Sequence, residues 1–144
     1  EAGCRFVHGH SYRMMVELEG EPTDASPGSG AMLIDFKHVK RMVKPLVDAM
    51  DHAMLVNESD TELRESMEAL NSKIYVMPSD TTAENVALHV AEQIRAAGHE
   101  VLARHGVQTI RVQVWETETC YAEVERPVKA KKAEEAASAA MASA

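Results

Sequence analysis

From His8 to Leu18 the chain alternates. His8, His10, Tyr12, Met14, Val16 and Leu18 share one parity, while Ser11, Arg13, Glu17 and Glu19 take the other. A period of two puts alternate side chains on opposite sides of an extended backbone, so this stretch predicts a strand with one covered face. Between Glu21 and Gly30 the residues Pro22, Asp24, Ser26, Pro27, Gly28 and Ser29 crowd together, a composition that suits a loop. Met32-Leu33-Ile34 predicts a short apolar strand, and Asp35 is suited to cap a helix behind it.

The period then changes. Phe36, Val39, Met42, Val43, Leu46, Val47 and Met50 recur at helical spacing, with Lys37, Lys40, Arg41 and Lys44 on the other side. This predicts an amphipathic helix kinked at Pro45 and ending near Asp51-His52. Thr61 to Asn71 carries a thin apolar stripe (Leu63, Met67, Leu70) that predicts a short surface helix, and Lys73 to Met77 reads as extended. Thr81 and Glu84 have the spacing of a capping box for a helix buried along Val86, Ala87, Val90, Ile94 and Ala97, with Gly98 as its stop. Ile110, Val112 and Val114 alternate with Arg111, Gln113 and Trp115, which predicts a strand whose inward parity also takes in Glu116. Cys120 to Glu125 reads as its returning partner.

Strand, helices, strand, strand describes an α+β domain: an antiparallel sheet with two main helices packed on one face. The first strand lacks a predicted partner. Residues 1–126 form the expected domain. Residues 127–144 form an Ala-rich tail with little to bury, expected to be disordered or a frayed helix.

The chain of 144 residues is long enough for one core and short for two. Its 45% hydrophobic and 26% charged residues are those of a globular protein. No apolar run approaches the about 20 residues of a membrane span. Lys and Arg number 15 against 23 Asp and Glu, and a net charge of -8 would repel a phosphate backbone, which argues against nucleic acid as a partner. Two cysteines and no secretory signal fit a reducing cytoplasm. The chain opens at Glu1, three residues before Cys4, and is expected to be the truncated form of a longer one.

Several residues could carry chemistry. His8-Gly9-His10 puts two imidazoles on one side of an extended chain, within reach of one ion, although such a pair is also ordinary on a surface. Cys4 lies close enough to face the same centre, where a cation would lower its thiol pKa; otherwise it is a small apolar residue. Asp51 can orient the His52 imidazole, or the pair can simply end a helix. Glu116 either meets adjacent N–H donors of a ligand or twists out to solvent. Thr82 and Glu84 have a sufficient role in capping. His38, His89, His99 and His105 show no ligand spacing.

Taken together and in order, Cys4-x-x-x-His8-Gly9-His10-x-Tyr12, Ile34-Asp35-Phe36, Asp51-His52, Thr82-x-Glu84-Asn85 and Trp115-Glu116-Thr117 resemble the 6-pyruvoyl- and 6-carboxytetrahydropterin synthase family. The resemblance runs from Cys4 to about Glu125, and the Cys-to-His spacing resembles the bacterial 6-carboxy branch that leads to queuosine. It implies a tunnelling fold assembled through its sheets into a homo-oligomer with sites between subunits. It also implies a zinc-dependent lyase acting on 7,8-dihydroneopterin triphosphate. Carried over, His8 and His10 would bind zinc, Cys4 would be the general acid or base helped by Asp51 and His52, Glu116 would anchor the pterin ring, and Thr82 would line the same pocket. The family's third zinc histidine lies on a first strand upstream of the cysteine, and the sequence begins after that position. The 6-pyruvoyl product and a non-catalytic pterin-binding remnant are the alternative readings. The stretch from Asn57 to Pro78 is longer than the family pattern and carries no assigned role.

Overall fold

The structure, a computed structural model, describes residues 6–22, 30 and 32–129. Five strands and three helices follow one another as β1 (Arg13–Gly20), α1 (Phe36–Met50), β2 (Met54–Asn57), α2 (Thr61–Ala69), β3 (Ile74–Met77), α3 (Ala83–Arg104), β4 (Val107–Trp115) and β5 (Tyr121–Pro127). Strands β1, β4 and β5 form an antiparallel sheet in that order, and β2 pairs with β3 in a separate parallel pair.

The alternation seen in the sequence is what makes the sheet two-faced. Met14, Val16 and Leu18 stand opposite Val114, Val112 and Ile110, and Val112 and Val114 stand opposite Val124 and Ala122. All eight side chains point to the covered face. There α3 lies against β4 and β5, contributing Val86, Ala87, Val90, Ala91, Ile94 and Leu102, and α1 packs on α3 through Met42. Burial of this apolar surface is the main drive for the arrangement. On the other face Arg111 sits among Glu17, Glu19, Glu123 and Glu125, so that one guanidinium joins all three strands.

Helix starts follow local chemistry. Asp35 accepts from the Lys37 amide at 2.8 Å, and that contact with Lys37 holds its carboxyl below the usual carboxylate range. Asp60 caps α2 in the same way through the Leu63 amide at 3.0 Å. The cap of α3 is Thr82, whose hydroxyl accepts from the Asn85 amide at 3.3 Å; the expected capping box beginning at Thr81 is therefore one residue out of place. The helix also runs through Gly98 to Arg104 instead of stopping. Gly98 serves packing here, because a Cβ at that position would collide with the Met42 sulfur of α1. Past Pro45, α1 continues to Met50. Arg41 and Pro45 are both exposed, so water can serve the Arg41 carbonyl that proline leaves without a helical donor.

Other expectations are corrected. The first strand begins at Arg13 rather than His8, because β4 ends at Trp115, the partner of Arg13, and offers no ladder to earlier residues. Met32-Leu33-Ile34 is a bend and not a strand, with Leu33 and Ile34 packed against the core. The parallel β2–β3 pair went unpredicted at Met54–Asn57. β1 finds its partner in β4, and its other edge meets no strand among the described residues. Pro127 closes β5 and Val128 is buried, so ordered structure reaches beyond residue 126; the rest of the expected tail lies outside the described residues after Lys129.

Ile94 is fully buried between α3 and the sheet. Ile94→Ala is expected to lower stability by about 2–5 kcal/mol in urea unfolding. A loss under ~1 kcal/mol would contradict a close-packed seam there.

Candidate active site

Beyond the last rung of the β1–β4 ladder, Tyr12 and Glu116 are the next residues to face each other. The consequence is a meeting of side chains that the two strands alone do not explain. His10 Nε2 lies 3.3 Å from Glu116 Oε1, and the Tyr12 ring is tilted against His10 with centroids 5.5 Å apart. Burial, and after it the Glu116 carboxylate, raises the Tyr12 phenol above its ordinary pKa. Glu116 is held by the turn behind it, where its amide donates to the Cys120 carbonyl at 3.0 Å and the Thr117 hydroxyl accepts from the Cys120 amide at 3.1 Å.

His8 and His10 lie outside the strand but keep its parity. Their Nε2 atoms approach to 2.8 Å. His8 Nδ1 lies 2.6 Å from the Phe6 carbonyl, an acceptor only, so Nδ1 carries the proton and Nε2 presents its lone pair. That is the tautomer a metal-binding imidazole needs. Among the described residues nothing lies within 4 Å of where a Gly9 Cβ would be.

At the far end of α1, Asp51 closes the helix and His52 follows with φ of 55°, a left-handed conformation uncommon for a residue with a Cβ. His52 Nδ1 meets Asp51 Oδ1 at 3.0 Å, and the His52 side chain is 91% exposed. The imidazole is thus oriented by a carboxylate while its other nitrogen is free of that contact.

These elements enclose one cleft of about 540 Å³. His8, His10, Tyr12, Asp51, His52 and Thr81 line it, over an apolar floor that includes Met14, Val86, Val90 and Val114. The floor is the open end of the core, and the rim is polar. Such a cleft can hold a flat heterocycle on its apolar base and present imidazole and carboxylate groups to its edges. A larger groove of about 690 Å³ between α3 and β5 gathers none of the predicted site residues. The candidate cleft is therefore chosen by its chemistry and not by its size.

Of the predicted residues, His8, His10, Asp51 and His52 come together here, and Glu116 joins through His10. Thr82 spends its hydroxyl on the α3 cap, and it is the adjacent Thr81 that lines the cleft. Cys4 lies outside the described residues. Tyr12 and Thr81 were not among the predicted site residues. Tyr12 could have been found from its parity with His8 and His10, whereas nothing local marks Thr81. As a metal site, the donor set fits in kind: two imidazole nitrogens converge, one in the right tautomer. Among the described residues no group of three potential metal ligands is gathered, so His8 and His10 supply two positions.

Comparison with known proteins identifies the family and the fold. The family model for 6-pyruvoyl tetrahydropterin synthase matches residues 1–127. A 6-carboxy-5,6,7,8-tetrahydropterin synthase of Haemophilus influenzae is 34% identical over 124 residues, 83% of this chain and 82% of that protein. The enzyme of the same name from Rickettsia typhi is 30% identical over 123 residues, 84% of either chain. The solved 6-pyruvoyltetrahydropterin synthase of Plasmodium vivax, at 19% identity, shares the fold with a TM-score of 0.66 over 83% of this chain and 81% of that one. The architecture is the tunnelling fold, an antiparallel sheet backed by helices. The chain belongs to the 6-pyruvoyl tetrahydropterin synthase family and is an enzyme of that kind, a lyase.

Thr82→Ala is expected to cost about 1 kcal/mol of stability through loss of the α3 cap, read from the denaturation midpoint. Thr81→Ala should stay within ~0.5 kcal/mol of the parent. Equal losses at the two positions would contradict the assignment of the cap to Thr82.

Proposed function

We propose that this chain converts 7,8-dihydroneopterin triphosphate to 6-carboxy-5,6,7,8-tetrahydropterin, releasing acetaldehyde and triphosphate, on the route to queuosine and related deazapurines. The observation that carries this reading is the convergence of the His8–His10 and Asp51–His52 pairs on one cleft, with Glu116 in contact with His10. The Haemophilus influenzae and Rickettsia typhi relatives, which bear the 6-carboxy name, support the choice of product.

His8 and His10 would hold zinc, which when bound supplies a Lewis acid beside the substrate's side-chain hydroxyls. The apolar floor takes the pterin face, and Glu116 accepts hydrogen bonds from its amino-pyrimidine edge. Its contact with His10 keeps that carboxylate beside the imidazole pair. His52 moves protons at the substrate side chain, with Asp51 fixing its Nδ1 and supporting the imidazolium form. Cys4 shares the acid and base work with this pair. Thr82 contributes by capping α3, which fixes the adjacent Thr81 at the cleft edge.

The working form in this reading is a cytoplasmic homo-oligomer with sites between subunits. Support comes from β1 and β5, which are edge strands among the described residues, and from Met15 and Tyr121, exposed on the outer sheet face. None of the described helices is long and apolar enough to cross a membrane. The net charge of -8 disfavours nucleic acid.

Incubation with 7,8-dihydroneopterin triphosphate and zinc should yield 6-carboxytetrahydropterin and acetaldehyde by mass analysis. His52→Ala should lower kcat by about 10²–10⁴-fold, and chelation should stop turnover until zinc is restored. A 6-pyruvoyl product without acetaldehyde would assign the sister reaction. Pterin binding with no turnover at all would make the chain a binding remnant.

A further inference from the structure

We propose that Lys73, which follows α2 and sits just ahead of β3, is a positioning residue that sets the turn carrying His52. The inference rests on the reading of Asp51–His52 as a catalytic pair. The last carbonyls of a helix have no partner within it, and they form the negative end of its dipole. The last turn of α1 contains no basic residue to meet them. The cation comes from elsewhere in the chain: Lys73 Nζ donates to the Asp48 carbonyl and to the Asp51 carbonyl, each at 2.7 Å. The carbonyl of Lys73 in turn accepts from the Met54 amide at 2.9 Å. One residue therefore grips the chain on both sides of His52, before it at Asp51 and after it at Met54.

His52 needs such a grip. Its φ of 55° is a conformation that a residue with a Cβ adopts only when its surroundings impose it. Its ring is 91% exposed and meets Asp51, so packing does not place it and the backbone of the turn must. Lys73 is itself anchored by the parallel β2–β3 register, in which Met54 stands beside Ile74. The stretch from Asn57 to Pro78 thus acquires a role: it builds β3 and delivers a cation to the end of α1. The other constraints on the turn, the Asp51 amide donating to the Val47 carbonyl at 2.8 Å and the Ala53 amide donating to the Met50 carbonyl at 3.0 Å, are local and do not fix the Asp51 carbonyl.

A double-mutant cycle tests this with the full chain, zinc and 7,8-dihydroneopterin triphosphate. Lys73→Met keeps the aliphatic stem and removes the donors. It should lower kcat on the order of 10- to 100-fold, with KM within about threefold of the parent, and Lys73→Arg should restore most of the rate. In the His52→Ala background Lys73→Met should have no further effect on kcat, because the ring it places is gone. An equal loss in both backgrounds, or none in either, overturns the role of Lys73 as a residue acting through His52. Should the Met variant fail to fold, Lys73→Gln, which keeps a neutral donor, is carried through the same cycle with the same criteria. Full turnover by His52→Ala alone would instead overturn the catalytic pair on which the inference rests.

Discussion

Backbone hydrogen bonds between β1 and β4 set Arg13 opposite Trp115, and that register decides where His8, His10, Tyr12 and Glu116 stand. Because side chains alternate along each strand, a slip of one residue would turn Met14, Val16 and Leu18 out to solvent and carry His8 and His10 away from Glu116. The apolar rungs thus hold the register, and the chemistry follows just past its end. Core packing and the sheet side of the cleft are consequences of the same ladder.

The cleft lies where that ladder stops. Tyr12, His10 and His8 continue the parity of β1 without a partner strand among the described residues, and the imidazoles meet each other, the Phe6 carbonyl and Glu116. On the opposite wall the end of α1 is capped from outside, by Lys73, and the Asp51–His52 turn projects from it. A rigid sheet on one side and a pinned helix end on the other hold exposed polar side chains in place without burying them. None of the charged groups that line the cleft is buried. Such groups would lose their charge if sealed in the core.

The two faces of the sheet divide the work. The inner face is aliphatic and joined to α3. The outer face carries Arg111 among four glutamates, and Arg13 stacked over Trp115 at 4.6 Å with Tyr121 behind it. Carboxylates on two strands, β1 and β5, share the single guanidinium of β4, whose pKa they raise, with the Glu125 hydrogen bond as the leading cause. Exposed pairs of this kind add little stability. They do spare the glutamates direct repulsion across the sheet.

The sequence by itself determined the elements whose periods are long and regular: the amphipathic α1, the buried stripe of α3, and the alternation of β1, β4 and β5. It also pointed to His8, His10, Asp51, His52 and Glu116, because imidazole and carboxylate groups at those spacings are chemically uncommon and their order along the chain resembles one family. Local pattern failed where long-range partners decide. His8 to Tyr12 has the alternation of a strand and lacks a ladder among the described residues; Gly98 has the look of a helix stop and is instead the seat of Met42. The short β2 and β3 exist only because they pair with each other. Thr81 rather than Thr82 at the cleft, and Lys73 across the end of α1, follow from contacts between residues distant in sequence. Periodicity reports which side of an element is covered, but what covers it, and which side chains meet there, is set by tertiary packing.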